Sequence, residues 1–317
     1  MYRLIRYYNQ NRKKILWIIL IIVFIIAIIQ ILNFFAKKNN GSNNSKKESV
    51  VGNITYSNAV TSNKSSVTGS EISQDKLKKD TDIIDTFFNY CNEGDVEDAY
   101  ELLTDECKEE MYPSVEDFKK IYYEYLFNGD KKSYTIENWV GDIYRIMITD
   151  DILSTGKLNS TETRQDYMTV IRKSNEYKLN INSYIGRKNL NLETMYNDIK
   201  VTVKEVNTYM DYEEYNIYVE NNSNNTILLD TNDDVKSVYL LDSNDKKAYF
   251  FNNEVNTSKL VVQSKLKTTL KIKFSNSYSS TRKMKNIVFS KFVLNYDEYN
   301  KLENKAEYDF KELKIKL

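Results

Sequence analysis

The chain holds no histidine among its 317 residues. That removes Ser-His-Asp and Cys-His nucleophile systems, histidine-ligated zinc and the usual general base near neutral pH. Its two cysteines, Cys91 and Cys107, are too few to complete a zinc site. They stand either as one disulfide or as two half-buried thiols in adjacent helices, the thiols being the preferred reading. Any acid–base or metal chemistry therefore falls to carboxylates, and two runs concentrate them. Asp95, Glu97, Asp98, Glu101, Asp105, Glu106, Glu109 and Glu110 form the first. It reads as the solvated face of amphipathic helices, with Asp95 and Glu97 favouring a helix N-terminus, in preference to a cation-binding or basic-partner surface. The second, Asp230–Val235 (DTNDDV), has the Asp-x-Asn-x-Asp spacing that opens a calcium loop. Such a loop next needs Gly and, at its twelfth position, Glu. Val235 and Leu241 stand there instead, so the run reads as a turn. No catalytic, cofactor-binding or metal-ligating residue is assigned, no cofactor is expected, and the chain is read as not an enzyme.

The elements around these residues divide sharply. Ile15–Ala36 (ILWIILIIVFIIAIIQILNFFA) contains no ionisable residue. At about 1.5 Å rise per residue it spans roughly 33 Å as a helix, enough for a hydrocarbon core of about 30 Å. It is too long for a signal-peptide core and is followed by no small-x-small cleavage site, so it reads as an uncleaved single-pass anchor. Arg3, Arg6, Arg12, Lys13 and Lys14 make residues 1–14 a basic arm without an acid, which predicts an N-terminus inside the cell and the bulk of the chain outside. With 45 basic and 45 acidic residues overall, the remainder is acidic by five. It lacks the basic footprint of a nucleic-acid binder. Lys, Asn, Ile and Tyr dominate as an A+T-rich genome would encode them, so the 26 tyrosines are not read as a stacking surface, and a low-GC Gram-positive source fits the bias.

Residues 37–74 are rich in Asn, Ser, Lys and Thr and show no apolar period. They read as a disordered linker, with a reach of roughly 35 Å if fully flexible. From 75 to 190 the pattern changes twice. Lys76–Glu93 carries Leu77, Ile83, Ile84, Phe87, Phe88 and Cys91 at helical spacing and stops at Gly94. Asp95 opens a second helix and Pro113-Ser114 a third, by the usual capping logic. From Tyr134 the period becomes two, giving about four strands up to Tyr184. This predicts three helices on one face of a curved antiparallel sheet, an α+β layer pair. Asn191–Asn197 reads as a short joint. From 198 to 317 seven or eight short strands separated by polar turns predict an all-β sandwich, with LKTTLKIKF (Leu266–Phe274) the most regular alternation and Phe310–Leu317 a last edge strand.

The string FFNYCNEGDVEDAYELLTDECKEEMYPSVEDFKKIYYEYLF resembles the helical half of extracytoplasmic members of the nuclear transport factor 2-like superfamily. Phe87–Phe88, Gly94–Asp95, Ala99–Leu103 and Pro113–Phe118 carry the likeness, and EYKLNINSY is similar to that family's closing strand. The resemblance implies a cone-shaped fold but little about activity, because the superfamily hosts enzymes, binding modules and scaffolds. Its enzymes work from a pocket between sheet and helices, for which Trp139, Asp142, Tyr144 and Tyr167 are the candidates here; aromatic core filling plus one surface carboxylate is the preferred explanation of them. Residues 198–317 resemble immunoglobulin-like domains of Gram-positive surface proteins through Val219–Ser223, Tyr239–Lys247 and Lys265–Phe274, with Gln263-Ser264 where Pro-Gly is usual. The whole is similar to single-pass platform subunits of conjugation and type IV secretion systems. That resemblance implies self-association or protein partners for the ectodomain, beside the membrane attachment through Ile15–Ala36 and the lack of a nucleic-acid partner read from hydropathy and charge. The alternatives are a cell-envelope sensor or small-ligand or cell-wall binder, and a pocket-based hydrolase or isomerase.

Overall fold

A computed structural model describes residues 58–151, 163–174, 176–251, 254–255 and 257–317. The arm, the anchor Ile15–Ala36 and the linker up to residue 57 lie outside the described residues. Among those described, no helix is long and apolar enough to cross a membrane. The described residues belong to one compact unit, Ile54–Leu317, and the fold is α+β with antiparallel sheets.

Helix α1, Gln74–Glu93, starts where the Ser73 hydroxyl accepts from Lys76 N–H and ends at Gly94 with φ 85°, the left-handed position glycine takes without strain. Its stripe of Leu77, Ile84, Phe87, Phe88 and Cys91 is buried as the spacing predicts. Helix α2 is Val96–Glu101. A further helix that the sequence reading did not separate, α3, Asp105–Met111, is capped by Thr104. Helix α4 (115–126) begins under the Ser114 cap and contains a π-helical turn, Lys119–Tyr123, before Glu124–Leu126 resumes the α form.

Strands β1 (Lys132–Val140), β2 (Ile143–Asp150), β3 (Arg164–Lys173) and β4 (Glu176–Asn180) form a sheet in that order. Ile136, Tyr144, Ile146, Met168, Val170 and Leu179 from this sheet share one core with the helices. That core is aromatic at its centre: Phe118 stacks on Tyr122 at 5.6 Å and meets Tyr112 edge-on at 5.5 Å.

The second half holds β5 (Tyr184–Tyr196), β6 (Ile199–Tyr209), β7 (Glu213–Asn221) and β12 (Lys267–Phe274) in the order β12-β7-β6-β5. A second sheet, β10-β9-β13-β14, comprises Lys247–Tyr249, Val238–Asp242, Met284–Phe292 and Lys311–Lys316, so the expected last strand is present. Strands β8 (Ile227–Leu228) and β11 (Val261–Val262) pair separately. Val201, Val203, Ile217 and Ile272 from one sheet and Leu240, Ile287, Phe289 and Leu313 from the other line one shared core. Short helices α5 (Thr257–Leu260) and α6 (Tyr296–Lys301) and a 3-10 turn at Lys305–Glu307 also belong to the described part of this half.

Two expectations are corrected. Asn191–Asn197 is no joint: β5 runs on to Tyr196, paired with β6, through an irregularity between Asn189 and Leu192 where Asn191 has φ 50°. Its burial alternates from Leu190 to Tyr196, but the inward positions are only half-buried and include Thr194, so the apolar alternation is short. Residues 58–73, read as part of a disordered linker, are instead ordered: 59–67 lie along β1 and 63–72 close a small hairpin. Ile136 N–H donates to Ala59 O and Ser66 N–H to Asn138 O. Main-chain bonds to an open sheet edge order this stretch, and they need no apolar side chains.

Candidate functional site

The proposed quartet does not converge. Asp142 is exposed and pairs with Lys76 (3.0 Å) and Arg172 (3.3 Å). Tyr144 is buried with its hydroxyl on Asp80. Trp139 and Tyr167 pack edge-on at 5.6 Å in a small separate cluster with Val140, Ile143 and Met210. Trp139, Tyr144 and Tyr167 are thus packed aromatics, and Asp142 is a surface carboxylate.

The structure places a different carboxylate at the floor of a cleft. Asp166 lies on β3 in phase with the inward residues Met168 and Val170. Its Oδ2 accepts from the Tyr122 hydroxyl at 2.9 Å and from Asn182 N–H at 3.1 Å, and its Oδ1 from Ser183 N–H at 3.0 Å. Asn182 and Ser183 both occupy the left-handed region, with φ 57° and 64°, a conformation disfavoured for residues with a Cβ. The Asp166 carboxyl holds them there. Burial pushes this carboxyl up to about 6, against the downward pull of the Tyr122 hydroxyl and the backbone donors. Above it opens a cleft of about 480 Å³ whose walls include Ile121, Tyr125, Leu126, Arg164 and Asn182. The π-helical turn in α4 faces this cleft. It directs Tyr122 inward and leaves Ile121 and Tyr125 52% and 68% exposed. The Arg164 guanidinium lies 4.5 Å from the Tyr125 ring centre. A carboxylate among periodic apolar residues was the available sequence signal for Asp166; its partners in α4 and the 182–183 turn carried none.

A second buried carboxylate, Asp80, belongs to α1. It takes hydrogen bonds from the Tyr144 hydroxyl (2.7 Å), Arg172 (2.7 and 2.8 Å) and Lys76 (2.8 Å). This ties the start of α1 to β2 and β3. The acidic run supplies a third cluster. Glu110, on α3, meets Arg187 (3.3 Å), Tyr209 (3.1 Å) and Lys271 (3.4 Å), while Glu109 meets Arg187 at 2.8 Å. Lys271 also bridges to Glu214 at 3.1 Å, whose carboxyl is raised by burial. The end of the acidic run is thus the electrostatic seam between the helical half and β5, β6, β7 and β12.

The Asp230 loop is a turn, as expected. Asp230 Oδ1 accepts from Asn232 N–H and the Ser237 hydroxyl, both at 2.8 Å, and Asp233 pairs with Lys291 at 2.8 Å. Burial pushes the Asp230 carboxyl up to about 6. Among the described residues, no group of three or more Cys, Asp or Glu is placed to hold a metal ion. Cys91 and Cys107 are both buried and unpaired. Burial raises both thiols, that of Cys107 to about 12, which makes them poor nucleophiles.

No protein-family description and no curated relative matches the chain. The crystal structure of the yjhA protein from Bacillus subtilis aligns over 41% of this chain and 98% of its own, at 14% identity and a TM-score of 0.29, a likeness too slight to bear on fold or function.

Proposed function

We propose that this chain is a non-enzymatic, membrane-anchored interaction or assembly protein. Ile15–Ala36 is its single span, and the unit from Ile54 onward lies outside the cell as a nuclear transport factor 2-like layer pair followed by an immunoglobulin-like sandwich. The observation carrying this reading is how the buried and half-buried carboxylates are used. Asp80, Asp166 and Glu110 each bind donors from several elements of their own fold, which spends them on architecture. Ile121 and Tyr125, by contrast, stand exposed at the cleft rim, in a form suited to contact. Sedimentation velocity on residues 54–317 tests it. The reading expects the weight-average coefficient to rise with concentration, and a strictly monomeric unit at high concentration contradicts it.

The cleft favours a second reading, a small-ligand binding protein of the cell envelope. Its volume of about 480 Å³ falls within the ~300–1,000 Å³ of ordinary ligand sites. Replacing Tyr125 with Ser separates the two. Loss of self-association supports assembly through this face, whereas unchanged association with lost retention of a cell-wall extract supports ligand capture.

A further inference from the structure

Both edges of the β1–β4 sheet are closed from within the chain, by different means. At β4, Thr104 N–H donates to Leu179 O (3.0 Å) and Leu179 N–H to Leu102 O (2.8 Å). That cap is the link between α2 and α3 and cannot leave without displacing both helices. At β1 the cap is the stretch 59–67, which precedes every helix of the compact unit. Ile136 N–H donates to Ala59 O (2.8 Å), Thr61 N–H to Ile136 O (3.1 Å), Ser66 N–H to Asn138 O (2.9 Å) and Val67 N–H to Trp139 O (3.1 Å). Val60 and Ile136 form a parallel bridge. The Ser65 hydroxyl donates to Trp139 O at 2.7 Å, and the Ser66 hydroxyl reaches the Glu137 carboxylate, which also pairs with Arg145.

This strap is fastened mainly by backbone and hydroxyl groups, with Val60 and Ile72 packed at the margin of the helical core; Val67 is 55% exposed. It continues into a small hairpin in which Ser65 N–H donates to Ser70 O and Ile72 N–H to Asn63 O (both 2.9 Å), turning at Gly69 with φ 68°. The hairpin then meets α1 at its Ser73 cap. Residues 59–72 can therefore leave as one piece, with the hinge at Ser73, lifting only Ala59, Val60 and Ile72 from the margin of the core.

We infer that the β1 edge is a strand-exchange interface, at which residues 59–72 of one copy pair with β1 of a second copy. The inference rests on the self-association proposed above and adds a second contact to the face of Ile121 and Tyr125. Every bond made within one chain is reproduced between two, so exchange loses no contact type. Main-chain pairing supplies the affinity, as in strand addition generally. Confinement of anchored copies to one membrane raises their effective concentration around the exposed edge.

The test uses full-length chains in one membrane. One copy carries Ser66→Cys and one tag, the other Glu137→Cys and a second tag, with copper phenanthroline as oxidant. The native Cys91 and Cys107 are buried and do not compete. The expected result is a disulfide-linked species bearing both tags, absent when either variant is present alone. A single chain carrying both substitutions controls for folding and reach, because its disulfide closes only if the strap seats on β1. The inference is overturned if that double variant cross-links within one chain while the mixed single variants yield no doubly tagged species. If chains bearing the two tags still co-purify, the exchange fails and the assembly reading stands; if they do not, both fail.

Discussion

Replacing Asp166 with Asn separates the energetic part of the cleft floor from its shape. The amide is nearly isosteric with a protonated carboxyl but does not titrate. Asp166 is buried, and its carboxyl is pushed up to about 6, against ~3.9 for an unstructured aspartate. Between those values the folded chain binds a proton that the unfolded chain does not, so stability is greatest below the lower value and falls as pH rises through the upper one. At about 1.4 kcal/mol per pKa unit, the fall attributable to Asp166 is about 3 kcal/mol. Asp230, also raised to about 6, titrates in the same window but is common to both proteins and cancels in the comparison. The assay is urea unfolding of residues 54–317 from pH 4 to 7. Trp139 serves as the reporter, being the tryptophan within that unit and packed against Tyr167, the neighbour of Asp166. The Asn variant carries a pH-independent loss, because its amide nitrogen faces donors. Relative to the parent it should nevertheless gain about 2 kcal/mol between pH 4 and 7, the first part of the fall lying below pH 4. A difference curve flat to within about 0.5 kcal/mol, a third of the effect of one pKa unit, would show that Asp166 is not desolvated and refute the reasoning.

Other perturbations follow from the same contacts. Asp80→Ala strands the buried Tyr144 hydroxyl and removes the carboxylate facing Arg172, and should cost about 3 kcal/mol in urea unfolding; Arg172 is 39% exposed and keeps Asp142, which holds the loss to the lower end of that range. Phe118→Ala empties the aromatic centre between Tyr112, Tyr122 and Phe87 and should cost about 3–5 kcal/mol, measurable as a lowered unfolding midpoint with an unchanged denaturant slope. Glu110→Ala removes the group on which Arg187, Tyr209 and Lys271 meet, and should cost about 1–3 kcal/mol; hydrogen exchange should then accelerate in α3 more than in α1.

Much of the helical layer was legible before any coordinates. Leu77, Ile84, Phe87, Phe88 and Cys91 recur at the helical period, and Gly94 and Ser114 mark boundaries by local chemistry alone. The strands with one buried face, such as Lys267–Phe274, were equally plain because alternation records burial. What stayed hidden depends on partners distant in sequence. The strap at 59–67 is ordered by the edge of β1, about 75 residues later, through groups that every residue possesses. The half of β5 read as a joint is ordered by its pairing with β6, and its alternation of Leu190 and Leu192 with Asn191 and Glu193 is too short to stand out beside the asparagines. Asp142 looked suited to a pocket because it sits among aromatic residues, but strand phase decides which way a side chain points. Asp166 is in phase with Met168 and Val170, and Asp142 lies in the turn between β1 and β2. The acidic run read as a solvated face is solvated only in part, since Glu110 acquires Arg187 and Lys271 from elements 77 and 161 residues away.

The central claim, that this protein acts by assembling outside the membrane and not by turnover, is tested most directly by counting copies. Full-length chains fused to a fluorophore at the N-terminus and expressed at low density in a bacterial membrane should bleach in two or more steps per spot. Single-step bleaching in essentially every spot, persisting as expression is raised, would contradict the account.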